Sequence, residues 1–365
     1  MKRILHVVSS MDRAGQETLI MNLYRHIDRN KFQFDFLCTT NKIGDYDDEI
    51  KKLRGIIYYL PQSKITIPHL HNLGIISNYR NFFKKHPEYR IVHFHNYHAF
   101  SVLIQVLGAK LGGVKSIIVH SHNTSAPNSK VHKIVKPILK LFNIYRLACS
   151  KPAGKWMYGN SKFKVLNNGI NTSSYLFNDN NRLKIRKELG IDSDTKLICH
   201  IGRFNYQKNH KYILDIFSEL LCEDSNFQLI LIGKGELELE IEQYAETLGI
   251  KDKILFAGIR EDIPDILSGS DVFLFPSIFE GLGIVMIEAQ ANGIPIVCSS
   301  VIPEEAILCN NIKSLSLLDS LSSWVQAIRS QAYEKHDTNN QVMIYNAGYD
   351  ILDSTSLLSH IYNNV

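Results

Sequence analysis

The sequence predicts an α/β protein built from two successive doubly wound domains. Short apolar segments alternate with amphipathic helical segments along most of the 365 residues. This pattern is typical of a parallel sheet with helices on both faces. A chain of this length exceeds one ordinary hydrophobic core, so two domains are expected. A polar stretch, residues 167–194, interrupts the alternation and predicts the connector between them.

The first domain is expected to span residues 1–170 and to contain seven strands. Leu19, Leu23 and Ile27 lie at helical spacing and predict a helix over Glu17–Ile27. The predicted strands are Ile4–Val8, Phe34–Cys38, Ile56–Leu60, Ile91–Phe94, Ser116–His120, Tyr145–Cys149 and Phe163–Leu166.

The second domain is expected to span residues 171–344, and residues 345–365 to form a helix that packs back on the first domain. The predicted strands are Lys196–Ile201, Gln228–Ile232, Ile254–Ala257, Asp271–Phe275 and Pro295–Cys298, and the predicted helices are Asn209–Cys222, Glu236–Leu248 and Ile284–Asn292. Ligands of such sheets bind beyond the carboxyl ends of the strands. We therefore expect the functional site in a cleft between two Rossmann-like domains that face each other.

The charge distribution is strongly asymmetric. The net charge is +5, but residues 89–178 hold twelve Lys and Arg and no acid, so the remainder carries 5 − 12 = −7. Such a field predicts anionic partners: phosphates, a membrane surface or nucleic acid. No aromatic-studded recognition motif accompanies the basic stretch, so nucleic acid is not expected.

The location is predicted from the cysteines and the apolar runs. The six cysteines lack C-x-x-C spacing, and no apolar run reaches the 18 residues of a bilayer span. We expect reduced thiols and a cytoplasmic protein that contacts the inner face of the cell membrane.

Two glutamates follow the predicted strand Asp271–Phe275. Glu280 and Glu288 are eight positions apart, which predicts Glu280 on a loop and Glu288 inside the next helix, both facing the cleft. Free amide groups at Gly281 and Gly283, where that helix starts, suit a diphosphate. Carboxylates accept hydrogen bonds strongly, as binding sugar hydroxyls requires. The alternative is that Glu280 caps the helix and Glu288 faces water.

Two cations follow the strand Lys196–Ile201. Arg203 and Lys208 lie after Gly202 on a loop at the carboxyl end of the strand. A guanidinium fork and an ammonium group can clamp one diphosphate. The alternative is that both are solvated surface cations.

Gly15 opens the first helix directly after the first strand. A glycine at this point lets the backbone approach a ligand closely. A simple turn is the equal alternative.

Two H-x-H pairs close neighbouring strands: His93 with His95, and His120 with His122. Alternate residues of a strand share one face, and imidazoles at a strand end can hydrogen-bond a ligand. One pair supplies too few ligands for a metal, so no metal is expected. For His93 we prefer packing within the sheet.

Gly233 and Gly235 follow a strand in the manner of a dinucleotide fingerprint. Glu238 occupies the third glycine position, so NAD is not predicted.

Residues 130–142 combine apolar and basic positions at helical spacing. Val131, Ile134, Val135, Ile138 and Phe142 share one face, and four lysines lie nearly opposite. We expect the apolar face to pack on the core, with a kink at the proline. Lysines without acids also suit anionic lipid headgroups.

Taken together, these segments resemble family 4 of the retaining glycosyltransferases, which have the two-domain GT-B fold, and particularly its capsular and exopolysaccharide members. The segments are AGQE, VHSHN, VLNNGIN, GRFNYQK, LIGKGEL, FAGIREDI and FPSIFEGLGIVMIEAQANGIP. The resemblance runs nearly end to end, and the last segment carries the E-x7-E spacing that marks the family. AGQE departs from the pattern because Ala14 replaces the first of two usual glycines.

The resemblance implies roles for the matched residues. Arg203 and Lys208 would neutralise the donor diphosphate, Glu288 would bind the ribose hydroxyls, and Glu280 and His122 would hold the transferred sugar from opposite domains. Ile259 and Arg260 would contact the base. Further donor contacts are implied at Gly15, Gly202, Gly281, Leu282, Gly283 and Ile284. The leaving diphosphate would take the acceptor's proton, so neither a protein nucleophile, a metal nor a cofactor is implied.

The sequence therefore predicts a metal-independent, retaining hexosyltransferase. It would move a sugar from a nucleotide sugar, expected to be a UDP-sugar, to a glycan or lipid-linked oligosaccharide in capsule or exopolysaccharide biosynthesis. One alternative is an epimerase of the same fold, which would convert a UDP-sugar without an acceptor. Another is an inactive binding module, which the presence of both glutamates, Arg203 and Lys208 disfavours.

Overall fold

The computed structural model describes residues 1–62, 71–124 and 129–365. The chain divides into two compact units, Met1–Gly169 with Ile351–Val365, and Ile170–Asp350. Each unit contains one wholly parallel sheet, which confirms the predicted fold class of two α/β, Rossmann-like domains. In the described parts of the chain, no helix has both the length and the apolar character that crossing a bilayer requires.

The first unit is built on a seven-stranded sheet. Its strands are β1 (Lys2–Val8), β2 (Phe32–Cys38), β3 (Ile57–Tyr59), β4 (Ile91–His95), β5 (Ser116–Ser121), β6 (Tyr145–Ala148) and β7 (Lys164–Val165). They pair in the order β3-β2-β1-β4-β5-β6-β7. The connections contain the helices α1 (Gly15–His26), α2 (Asp47–Lys52), α3 (His71–Lys85), α4 (Ala99–Gly112), α5 (Ser129–Val135) and α6 (Lys151–Tyr158).

Both faces of this sheet are covered by apolar packing. Leu5 and Val7 of β1 belong to one buried core, whereas Ile4 and Val8 belong to another. Alternate residues of a strand point to opposite faces, so each face has its own core.

The second unit is built on a six-stranded sheet. Its strands are β8 (Lys196–Ile201), β9 (Phe227–Ile232), β10 (Ile254–Phe256), β11 (Val272–Phe275), β12 (Ile296–Ser299) and β13 (Ile312–Leu315). They pair in the order β10-β9-β8-β11-β12-β13. The helices are α7 (Asp179–Leu189), α8 (His210–Glu223), α9 (Glu238–Thr247), α10 (Ile263–Gly269), α11 (Ile284–Asn292), α12 (Leu321–Gln331) and α13 (Asn340–Ile344).

Five elements of the second unit were not predicted, namely β13 and the helices α7, α10, α12 and α13. Strand β13 lies at the sheet edge and none of its residues is buried, so it lacks the apolar run that marks a central strand. Helix α7 lies inside the stretch predicted to be a polar connector. Asn178 caps its first turn by accepting a hydrogen bond from the Asn181 amide. The asparagines that indicated a connector therefore include a helix start signal.

The last helix, α14 (Ile351–Asn364), packs on the first unit. Ile351, Leu358, Ile361 and Tyr362 are buried in the core that also contains Ile4. A short contact between the Lys2 ammonium group and the Tyr362 carbonyl, 2.8 Å, ties the helix to β1.

Each sheet has one point at which the chain reverses its direction of strand addition. In the first unit this switch lies between β1 and β4, and in the second between β8 and β11. Loops diverge there at the carboxyl edge, and open α/β sheets bind ligands at such points.

Candidate functional site

The loops after β8 and β11 meet at the switch point of the second sheet. Lys208 Nζ donates to Glu280 Oε1 at 2.6 Å, with side-chain exposures of 14% and 5%. Two further bonds join the loops: the Ile278 amide to the Gln207 carbonyl, 2.9 Å, and Asn209 Nδ2 to the Pro276 carbonyl, 3.1 Å. The structure thus brings together two predicted site residues from distant parts of the sequence.

Gly202 provides the space that the Lys208 stem occupies. A Cβ at position 202 would lie 2.9 Å from Lys208 Cγ and 3.0 Å from His200 Nε2. The Lys208 ammonium group also lies 4.4 Å from the centroid of the Phe275 ring. Gly202 therefore has a packing role, whatever its contact with a ligand.

Arg203 differs from Lys208 in being exposed. Within residues 1–62, 71–124 and 129–365, its guanidinium group has no hydrogen-bond or ion-pair partner. Since Glu280 neutralises Lys208, Arg203 supplies the uncompensated positive charge of this loop and is available to an anion.

Helix α11 begins at Ile284, so Glu280 lies on the loop and Glu288 within the helix. Gly283 occupies the N-cap position with φ 69°, and no side chain caps the helix start. The interpretation of Glu280 as a cap is therefore wrong, because its carboxylate receives Lys208. Uncapped amide groups at a helix start favour an anion.

Of the other residues predicted around this helix start, Gly281 is exposed, Leu282 is buried and Ile284 is half-buried.

Glu288 is almost fully buried, with 9% of its surface exposed. Burial raises the pKa of this carboxyl to about 7, and a hydrogen bond with the Tyr175 side chain opposes that rise. The interpretation that Glu288 merely faces water is wrong. Tyr175 was missed by the sequence analysis because it lies in the polar connector, and no local pattern relates it to α11.

The loop after β10 presents Ile259 and Arg260. Ile259 is 42% exposed. The Arg260 guanidinium donates to Asp262 (Nε to Oδ1, 2.8 Å) and to Glu188 (Nη2 to Oε1, 2.7 Å). These carboxylates raise the pKa of Arg260. Ile259 is the freer of the two residues predicted to contact a base.

Gly233 and Gly235 are required by the packing of neighbouring loops. A Cβ at Gly233 (φ +138°) would collide with the Gly202 carbonyl, and one at Gly235 with the Phe204 backbone. This close backbone packing explains why both positions are glycine, so a bound dinucleotide is not needed to explain them.

In the first unit, Gly15 is the first residue of α1, after the Ala14 N-cap. A Cβ at this position would meet no atom within 4 Å. Packing inside the chain therefore does not require the glycine.

A cavity of about 490 Å³ lies near the switch point of the first sheet. Its walls include Val8, Gln16, His95, Asn96 and Gln105.

The two H-x-H pairs belong to a larger histidine cluster. His6 of β1 pairs in register with His93, and His95 with His120. His6 Nδ1 lies 2.9 Å from His95 Nε2, and His95 Nδ1 lies 2.9 Å from His122 Nε2. Burial lowers the pKa of His122 to about 3. His6 was missed because a lone histidine in an apolar strand carries no signal of its partners.

The segment 130–142 has the expected break near its proline, but most of its apolar face is exposed. Helix α5 gives way at Val135 to a 3₁₀ turn, Lys136–Leu141, whose start contains Pro137. Val135 is buried, but Ile134 and Leu141 are 72% and 83% exposed. The expectation that Ile134 packs on the core is therefore wrong, as it also is for Val131 and Ile138, which are 43% and 39% exposed.

The chain matches two known family profiles that together cover most of its length. Residues 13–174 match the profile described as Glycosyltransferase Family 4, and residues 181–331 match Glycosyl transferases group 1.

Curated relatives extend the similarity over nearly the whole chain. EpsF of Bacillus subtilis (strain 168), assigned as a glycosyltransferase, is 34% identical over 99% of this chain and 96% of its own length. The capsular polysaccharide biosynthesis glycosyltransferase CapH of Staphylococcus aureus is 26% identical over 99% of both chains. Both relatives are named as glycosyltransferases, which does not favour the alternative that this chain is an epimerase.

A solved structure shares the fold. The crystal structure of Anabaena Alr3699/HepE in complex with UDP-glucose superposes with a TM-score of 0.79 and 16% identity, over 100% of both chains. This chain therefore belongs to glycosyltransferase family 4, as a GT-B glycosyltransferase of exopolysaccharide or capsule biosynthesis.

Proposed function

We propose that this glycosyltransferase is retaining and metal-independent, and that it transfers a hexose from a UDP-sugar to a glycan or lipid-linked oligosaccharide. The observation that carries the proposal is the Lys208–Glu280 pair at the sheet switch point, beside the exposed Arg203 and the uncapped start of α11. The UDP-glucose bound by HepE supports a uridine donor.

The diphosphate is assigned to the cations and to the helix start. Arg203 donates through its planar fork and Lys208 through its remaining ammonium hydrogens, while the α11 amides add neutral donors. Negative charge grows on the diphosphate as the sugar leaves. Donors already in place therefore lower the barrier by electrostatic stabilisation.

The transfer is a single exchange at the anomeric carbon. The bond from that carbon to the diphosphate oxygen breaks, and the bond to the acceptor oxygen forms on the same face. The acceptor's hydroxyl proton passes to the leaving diphosphate oxygen. No protein nucleophile takes part in this scheme.

The remaining polar groups are assigned to the sugar and the nucleoside. Glu280 accepts from hydroxyls of the transferred sugar, and His122 contacts that sugar as a neutral imidazole. Glu288 accepts from the ribose hydroxyls, and Ile259 packs against the base.

Metal independence rests on the charge at the donor loops. Two D-x-D triplets exist, residues 45–47 and 192–194, but neither suits the diphosphate of this site. Asp192 and Asp194 precede β8 and so lie at the opposite edge of the sheet from Lys208. Asp47 is buried and accepts from the Tyr59 hydroxyl at 2.9 Å.

The first unit is assigned to the acceptor and to the membrane that carries it. The cavity beside His95 is lined by polar groups that suit a sugar. The exposed side chains of Ile134 and Leu141 stand among Lys130, Lys133 and Lys140, all exposed. Apolar insertion together with basic side chains favours an anionic bilayer surface.

A donor panel tests the catalytic proposal. Purified protein is incubated with UDP-, GDP- and dTDP-sugars, and nucleotide release is measured with and without a lipid-linked acceptor. We expect release from one UDP-sugar, stimulated by acceptor, with at least a tenfold loss in Glu288→Ala. Glu334→Ala, a change at an exposed glutamate, serves as the control. Release confined to GDP- or dTDP-sugars would refute the uridine assignment.

The stereochemistry is tested on the product. Proton NMR of the new linkage, made from an α-linked UDP-sugar, should show an α anomer. A β anomer contradicts retention and requires a base among the protein residues.

Vesicle flotation tests the membrane assignment. At low salt, we expect binding to phosphatidylglycerol vesicles and little binding to phosphatidylcholine. The double change Ile134→Asn and Leu141→Asn should reduce the bound fraction severalfold. Leu318→Asn, at a residue 96% exposed, is the matched control. Equal flotation of both variants contradicts the assignment.

A further inference from the structure

The first sheet gathers three buried imidazoles that the proposed transfer does not use. His6 lies on β1, His93 and His95 on β4, and His6 is paired in register with His93. His6 and His93 are 0% exposed and His95 is 6% exposed. One ring nitrogen from each lies within 4.8 Å of those of the other two.

In the hydrogen bonding of these three histidines, one ring nitrogen, His93 Nε2, has no partner among the described residues. The Tyr362 oxygen lies 2.7 Å from His93 Nδ1 and 3.4 Å from His6 Nε2. His95 Nδ1 lies 2.9 Å from His122 Nε2. Among the described residues, His93 Nε2 is buried and has no hydrogen-bond partner. A buried polar atom without a partner destabilises the fold, so a ligand that binds it is favoured.

We propose that His6, His93 and His95 together bind one transition-metal ion of the Zn²⁺ class. Nδ1 of His6 and Nε2 of His95 face each other at 2.9 Å, and a separation wider by about 0.4 Å would let both bind one tetrahedral ion at Zn–N distances of about 2.0–2.1 Å. Nε2 of His93 provides the third ligand. Imidazole nitrogens suit Zn²⁺, Cu²⁺ and Ni²⁺.

The outer ring nitrogens of all three histidines then have acceptors. His93 Nδ1–H and His6 Nε2–H donate to the Tyr362 oxygen, and His95 Nδ1–H donates to His122 Nε2. Ligating histidines characteristically donate their second N–H in this manner, which fixes the tautomer. With a cation in place, one set of tautomers leaves none of the three rings unsatisfied.

A second triad, His95, His120 and His122, also has suitable spacing, but the first is preferred. His120 has no hydrogen-bond partner for either ring nitrogen among the described residues, so no second N–H acceptor orients it. His95 also lines the 490 Å³ cavity, which gives the ion an entry path and water as a fourth ligand.

Either H-x-H pair alone supplies too few ligands for a metal ion. The third ligand comes from β1, which only the strand order places beside β4. The ion would stabilise the first unit and the docking of α14 through Tyr362. It takes no part in the proposed transfer, and its binding is measured without any sugar.

The test uses the full chain, prepared without a histidine tag and dialysed against micromolar Zn²⁺. Elemental analysis should find about one ion per chain. His6→Gln and His93→Gln should each reduce this to near zero, whereas His120→Gln and the second-unit change His200→Gln should retain it. Absence of the ion from the unmodified protein, or its loss in His120→Gln alone, overturns the proposal.

A second measurement avoids dependence on variants that fail to fold. Tyr362→Phe keeps the buried ring and removes only the oxygen, so competition with a chelating dye should show affinity about 10–100-fold weaker. In the unmodified protein, Co²⁺ should give the visible absorption of a tetrahedral site. Unchanged affinity in Tyr362→Phe, or a six-coordinate Co²⁺ spectrum, contradicts the assignment.

Discussion

Lys208 and Glu280 are 72 positions apart in the chain, yet their charged groups lie 2.6 Å from each other at the switch point of the second sheet. The two side chains come from loops that follow neighbouring strands, β8 and β11. Because both are largely removed from water, each depends on the other for charge compensation.

Breaking this pair should reduce stability. Lys208→Met leaves Glu280 buried without its cation, and removal of one partner of a buried pair costs about 3–5 kcal/mol. Urea unfolding should show that loss, and the double variant with Glu280→Gln should recover part of it. A single-variant cost below about 0.5 kcal/mol would mean that the pair is solvated in solution.

Arg203→Ala should separate catalysis from stability. The side chain is exposed and has no described ion-pair partner, so the free energy of unfolding should change by less than about 0.5 kcal/mol. Loss of the uncompensated cation of the loop after β8 should lower kcat/KM at least about 100-fold, as removal of a donor to a developing anion does. Arg203→Lys should recover part of the rate, because the charge returns without the fork. Steady-state kinetics that match the unmodified protein would exclude a role at the diphosphate.

Gly15→Ala tests whether a ligand approaches the start of α1. A methyl group at this position meets no protein atom within 4 Å, and alanine favours a helix over glycine by about 0.5–1 kcal/mol. The thermal midpoint should therefore stay level or rise. If the donor phosphate contacts this backbone, KM for the donor should increase several-fold. Gly113→Ala is no matched control because its φ is +93°, so an exposed change such as Ser129→Ala is used. Unaltered kinetics would assign Gly15 to a simple turn.

Glu288 should make nucleotide binding depend on pH. With its pKa raised to about 7 by burial, the carboxyl is mostly protonated at pH 6 and mostly ionised at pH 8. If the carboxylate accepts from the ribose hydroxyls, UDP should bind more tightly as the pH rises, by up to about tenfold over this range. Calorimetry should find that UDP affinity does not change with pH in Glu288→Gln. An equally steep pH dependence in that variant would mean that another group is responsible for it.

The Glu288 carboxyl should also make the free energy of unfolding depend on pH, but this energy should fall as pH rises, whereas UDP affinity should increase. The folded chain keeps a proton between the usual carboxyl pKa of 4.5 and about 7, where the unfolded chain has lost it. The free energy of unfolding should therefore fall as pH rises through this window and level off above it. Glu288→Gln should remove that component, as urea titrations at pH 5 and pH 8 can show.

The local sequence pattern was sufficient to predict those helices and strands whose own residues show a clear apolar run or helical spacing. The apolar runs of β1, β8 and β11 and the spacing of α1 predicted strands and a helix close to the observed bounds. The pattern failed for β13, whose half-exposed edge position needs no apolar run. It also failed for Ile134, because helical periodicity reports which residues share a face but not whether a core lies against it.

The sequence by itself determined the two parallel-sheet domains and the residue types that follow their strands, including Arg203, Lys208, Glu280 and Glu288. Those properties depend on short-range spacing and on the residue types that follow each strand. Only the tertiary structure decided which groups meet: Lys208 with Glu280, Glu288 with Tyr175, and His6 with His93 and His95. Strand order fixes the first and the third of these encounters, and the packing of α11 on the segment Thr172–Tyr175 fixes the second. Both depend on the packing of whole sheets and helices, which no local stretch of sequence encodes.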